Sequence, residues 1–149
     1  MALFINIIRF PIITEFLIIL LIYFILYNIY FSNKLNFKNK KVLLRVDYNV
    51  KIKNNIIVDD FRIKKSLKTI NFLKNKAKVV ILVSHLGNPQ GIDEQFSLRI
   101  VAKYLSKILK RKIYFITDFE NSKKIIDSLP KGSIVLLENL RFHKGEKQN

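Results

Sequence analysis

A continuous apolar run, Val79–Val83, breaks off into the polar, Gly/Pro-punctuated stretch Ser84-His85-Leu86-Gly87-Asn88-Pro89. Five successive apolar residues fit a strand covered on both faces, as in a parallel sheet. The same pattern recurs along the chain. Residues 41–49 (KVLLRVDYN) read as a first strand with the apolar core Val42-Leu43-Leu44. Lys53-Asn54-Asn55 is a turn signal before Ile56-Ile57-Val58. Asp59 or Asp60 is suited to cap a helix, which then carries Ile63, Leu67, Ile70 and Leu73 on one face and ends at Asn75-Lys76. After the Val79–Val83 strand, Ser97 is suited to cap a helix striped by Leu98, Val101, Ala102, Leu105, Ile108 and Leu109. Residues 113–116 read as a strand and 121–129 as a helix. Pro130-Lys131-Gly132 is a turn, and residues 133–137 (SIVLL) form the last strand. Strands alternating with helical patterns predict an α/β fold: a parallel sheet with helices on both faces, a Rossmann-like three-layer arrangement.

The start of the chain is different. Residues 1–33 hold only two charges, Arg9 and Glu15. Residues 11–31 (PIITEFLIILLIYFILYNIYF) would rise ~30 Å as a helix, about the thickness of a bilayer's hydrocarbon core. Tyr27, Tyr30 and Phe31 fall where an interfacial aromatic belt sits, and Lys34, Lys38, Lys40 and Lys41 follow at once. The expectation is a single transmembrane anchor over 11–31 with its C-terminal side in the cytoplasm. A cleaved signal peptide fits poorly, because the apolar run is long and no small-x-small cleavage site follows it. The competing reading is a leader of out-of-frame or misassigned coding sequence. Residues 34–40 form a basic linker, and 41–149 the globular domain.

Charge adds a possibility without proving it. The 149-residue chain has 27 Lys and Arg against 11 Asp and Glu, a formal net charge of +16. Such a surface attracts anions, although Lys, Asn and Ile abundance is also what a compositional bias produces. There is no cysteine and there are only two histidines, which argues against disulfides, Cys nucleophiles and a zinc site. Neither G-x-x-x-x-G-K nor G-x-G-x-x-G occurs, so no nucleotide-phosphate loop is visible. No motif interleaves stacking aromatics with basic residues, so nucleic acid is not an expected partner.

The residues that follow strands or open helices are Arg45, Asp47, Asn49, Arg62, Ser84, His85, Asn88, Glu138, Asn139, Arg141 and His143. In open α/β sheets ligands bind outside the carboxyl ends of the strands. Three arginines and a histidine converging there would form an anion site, since the guanidinium fork matches carboxylate and phosphate oxygens. Each residue also has an ordinary reading. Arg45 could pair with Glu138 or Asp47, Asp47 could be a strand-end turn residue, and His85 a structural loop histidine. Arg62 could be a solvated helix-start residue. Glu138 and Asn139 read as braces of the loop rather than ligand contacts, and His143 has no assigned role.

Four segments, KKVLLRVDYNVKIKNNIIVDDFRI, VSHLGNPQG, FSLRIVAKYLS and GSIVLLENLRFHKGE, resemble the N-terminal domain of the phosphoglycerate kinases. They keep that family's order and spacing from about Leu35 onward. The resemblance implies phosphoryl transfer between ATP and the carboxyl group of 3-phosphoglycerate. The N-domain would take the acid, and a hinged C-terminal domain would take Mg-ATP or Mg-ADP. It implies that Asp47 and Asn49 hold the hydroxyl and carboxyl end of the glycerate and that Arg62 stabilises the transferring phosphoryl group. His85 and Arg141 match the basic patch on the 3-phosphate, with Arg45 a neighbouring patch arginine.

Three departures stand out. Asn88 occupies the position of a patch arginine, Lys51 that of a proline, and the sequence stops after ENLRFHKGE and a few more residues. The expectation is therefore an N-terminal portion without nucleotide-binding residues, inactive alone. It would be completed by a separately encoded C-terminal nucleotide domain if it is half of a split enzyme. The alternative is a non-catalytic, membrane-tethered anion-binding module.

Overall fold

A computed structural model of the chain describes residues 35–147. The expected helix over 11–31 lies outside the described residues. Among the described residues, no helix is long and apolar enough to cross a membrane. The elements run β1 (Lys41–Arg45), β2 (Ile52–Lys53), β3 (Ile56–Ile57), α1 (Phe61–Lys74), β4 (Val79–Val83), α2 (Arg99–Leu109), β5 (Ile113–Ile116), α3 (Ser122–Ser128), β6 (Ser133–Leu137) and α4 (Lys144–Lys147). Short 3-10 turns at Glu94–Phe96 and Leu140–Phe142 shape two of the loops.

Four strands form one parallel sheet in the order β1-β4-β6-β5, and the two central strands, β4 and β6, are the ones buried along their whole length. Side chains alternate between faces, as the pleat requires. Val42 and Leu44 of β1, Val80 and Leu82 of β4, and Ile134 and Leu136 of β6 join the side chains of α1 and α2 in one core. Val79, Ile81, Val83, Val135 and Leu137 form a second core against Ile126 of α3. Helices therefore cover both faces, as the apolar pattern predicts. Of the stripe expected on α1, Ile63, Ile70 and Leu73 are buried and Leu67 packs half-buried beside them.

One local feature differs from the sequence reading and another gives an expected turn its form. The packed domain begins before Lys40. Phe37 is 2% exposed and packs edge-on against Phe72 with ring centroids 6.0 Å apart, so one aromatic residue of the basic stretch carries the chain into the core. Asn54 and Asn55 both adopt positive φ, 50° and 60°. They close a two-residue antiparallel hairpin between β2 and β3, the conformation that side-chain amides tolerate best among non-glycine residues.

Candidate functional site

The carboxyl ends of β1, β4 and β6 lie side by side, and each leads into a polar loop. Beyond Arg45 the ladder continues one step, with Val46 N donating to Val83 O at 2.9 Å. Tyr48 then turns fully into the core. Its N–H donates to Ser84 Oγ, and its hydroxyl shares a 2.9 Å hydrogen bond with Ser66 Oγ. Burial pushes the Tyr48 hydroxyl pKa upward. In an extended segment, inward Tyr48 forces Asp47 and Asn49 outward, and both are exposed on the rim. Asp47 Oδ1 accepts from Asn49 N at 3.1 Å, and its Oδ2 accepts from Arg62 Nη1 at 2.5 Å. Arg62 reaches it from the first turn of α1.

The cap of α1 is divided between two aspartates. Asp59 Oδ1 accepts from Phe61 N at 2.9 Å. The Asp60 carboxylate instead takes the Tyr104 hydroxyl and Lys64, and those bonds hold its pKa below the usual carboxylate value.

Gly87 is the junction of the rim. Its N–H donates to Asn49 Oδ1 at 2.9 Å, and its carbonyl accepts from Arg141 Nη1 at 2.5 Å. Its φ is +60°, and a Cβ there would lie 2.3 Å from the Phe96 ring, so both conformation and space call for glycine. One residue on, Asn88 is exposed.

The loop after β6 is held from inside. Glu138 Oε1 accepts from Leu98 N and Asn139 N, and Oε2 from the Ser97 hydroxyl. Ser97 Oγ in turn accepts from Arg99 N at 3.2 Å, which closes the start of α2. Asn139 Nδ2 donates to the carbonyls of Leu86 and Phe96, while its Oδ1 accepts from Leu86 N and Arg141 N. These two side chains brace the loops against one another.

Arg45 pairs neither with Glu138 nor with Asp47. Glu138 is buried and taken up by Ser97, Leu98 and Asn139, and Asp47 is engaged by Arg62. The partner is Glu146 of α4, whose Oε1 accepts from Arg45 Nη2 at 2.8 Å. His85 is half-buried at the centre of this ring of charges. Its pKa lies below the ordinary histidine value, first because of burial and then because of the Arg141 guanidinium, with Asp47 and Glu146 opposing and Arg45 reinforcing. His143 is turned aside, its ring 3.8 Å from that of Phe119.

The rim thus gathers Arg45, Asp47, Asn49, Arg62, His85 and Arg141, with Asn88 beside Gly87. Sequence reasoning left out Gly87, Phe96, Tyr48 and Glu146. The glycine and tyrosine were legible in principle, as a strand-end Gly-x-Pro and an apolar residue between two polar ones. Glu146 stands 101 positions from Arg45, and no local signal joins them. Among the described residues no group of three or more His, Cys, Asp or Glu side chains could hold a metal ion. A groove of about 720 Å³ is lined by Ile56, Ile57, Glu94, Lys103, Tyr104 and Lys107 among others and by none of the rim side chains. It has none of the rim's convergence.

The family model for phosphoglycerate kinase matches residues 32–149. Among curated relatives, a phosphoglycerate kinase of Wolbachia pipientis is 47% identical over 116 residues, covering 76% of this chain and 29% of the relative. One from Aquifex aeolicus is 46% identical, covering 74% and 29%. The crystal structure of phosphoglycerate kinase from Pyrococcus horikoshii superposes with a TM-score of 0.67 at 35% identity, over 75% of this chain and 28% of that one. The Coxiella burnetii phosphoglycerate kinase structure gives 0.66 at 38% identity. The chain spans about 29% of the length of these curated relatives. The family model covers well over half of the sequence, and this chain belongs to the phosphoglycerate kinase family.

Proposed function

We propose that the described domain is the acid-binding part of a phosphoglycerate kinase and that it holds 3-phosphoglycerate on the rim. The observation that carries this reading is the convergence of Arg45, Asp47, Asn49, Arg62, His85 and Arg141 from four separate segments onto one sheet edge. Asp47 and Asn49 present oxygens and an amide to the glycerate hydroxyl and carboxyl. Arg141 and His85 face the 3-phosphate. Arg62, at the opening of α1, stands where charge develops when a phosphoryl group moves to or from the carboxyl oxygen. Such transfer depends on positioning and charge stabilisation rather than on a protein nucleophile. The family resemblance assigns Mg-ATP or Mg-ADP to a C-terminal nucleotide domain, in trans or further along a longer chain.

Calorimetric titration of the chain tests this reading. The expected result is saturable binding of 3-phosphoglycerate and much weaker binding of glycerate, which lacks the phosphate. Equal heats for the two acids contradict it. A coupled assay of the chain alone should show no turnover.

A further inference from the structure

The rim's cations are satisfied in different ways. Arg141 donates to a backbone carbonyl, that of Gly87. Arg62 bonds Asp47, whose other carboxylate oxygen is fixed by Asn49 N. Arg45 bonds a carboxylate from much further along the chain, Glu146, for which this is the one side-chain hydrogen bond found among the described residues. Glu146 is carried by α4, a single turn that follows the Leu140–Phe142 turn. It is one of only 11 acidic residues in a chain with 27 basic ones, yet it sits on the basic rim.

We propose that Glu146 is an internal stand-in for the ligand's anionic oxygens: it occupies Arg45 in the free chain, gives way when a phosphorylated acid binds, and so sets the affinity of the rim. This rests on the reading of the rim as a 3-phosphoglycerate site. The pair is strong enough to form and weak enough to exchange. Its side chains are 39% and 20% exposed, and pairs that are partly solvated contribute little net free energy. A phosphate dianion brings more charge and three acceptor oxygens to the same guanidinium. The competing role is a tether, with Glu146 merely fastening α4 to the end of β1. The two roles predict opposite signs. Removing a competitor tightens ligand binding, whereas removing a tether loosens the rim and weakens it.

The test is calorimetric titration of the full chain with 3-phosphoglycerate at fixed ionic strength, for wild type, Glu146→Gln, Arg45→Gln and the double variant. Glu146→Gln is expected to bind roughly threefold to fivefold tighter than wild type. That gain should vanish in the Arg45→Gln background, because the acid then has nothing to occupy. Glu94→Gln removes the same charge from a groove residue outside the rim and should leave the affinity unchanged. Unchanged or weaker binding by Glu146→Gln, with wild type still binding, overturns the proposal alone. So does an equal gain from Glu94→Gln, which would make the effect one of net charge. If folded wild type and Glu146→Gln both ignore 3-phosphoglycerate, the reading of the rim falls and the proposal falls with it.

Discussion

The loops after β6 and after β1 reach the same rim by different physics. Glu138 and Asn139 are 7% and 0% exposed, and every polar atom of their side chains is engaged. Asp47 and Arg62 are 56% and 51% exposed and hold each other by one ion pair. The first arrangement fixes backbone positions, because a buried polar group left without its partner is expensive. The second leaves charged groups free to exchange partners at small cost. A site that must fit one ligand and still release it gains from both. The buried brace sets where Gly87 and Arg141 stand, and the exposed pairs offer charges that a ligand can take over.

The largest expected effect is on the brace. Asn139→Ala strands the Leu86 and Phe96 carbonyls and the Leu86 amide and should destabilise the fold by about 3 kcal/mol. Urea denaturation measures it, and a loss below about 1 kcal/mol would remove the distinction between the two loops. Gly87→Ala comes next, at about 2 kcal/mol, from the left-handed backbone and the collision with Phe96. Phe96→Ala in the same background should recover the steric part only. On the exchangeable side, Asn88→Arg should leave stability nearly unchanged and tighten 3-phosphoglycerate binding about tenfold, as one added charge-assisted contact would. No gain would place residue 88 away from the phosphate.

The smallest effect is a pH dependence. His85 and His143 both titrate below the ordinary histidine value near ~6.5, His85 through burial and then Arg141, His143 through burial. Their charged forms are disfavoured in the fold, so in that window the unfolded chain binds more protons. Stability should be full above about pH 6.5 and decline as pH falls below it toward the depressed folded values. Urea midpoints between pH 7.5 and 5 measure the decline. Replacing both histidines by glutamine should flatten it.

The brace and the grip also differ in how far the sequence discloses them. Val79–Val83 and residues 134–137 are so apolar that their membership of a parallel sheet covered on both faces is legible from pattern. The rim residues are legible as strand-end polar positions, and the family resemblance orders them. Their partners are not. The sequence offers Arg45 two acids, Glu138 and Asp47, and only the return of the chain through α4 brings in Glu146. The division of labour between Asp59 and Asp60 depends on Tyr104 arriving from α2. Contacts formed between loops from separate strands have no periodic signature.

The central claim is that the rim, and not the chain's diffuse positive charge, binds the phosphorylated acid. Titration with 3-phosphoglycerate followed by amide chemical shifts tests it most directly. The account predicts saturable changes at Asn49, Arg62, His85, Gly87 and Arg141, with the helical lysines Lys103 and Lys107 unmoved. Shifts spread over those lysines, with Gly87 and Arg141 silent, would contradict it.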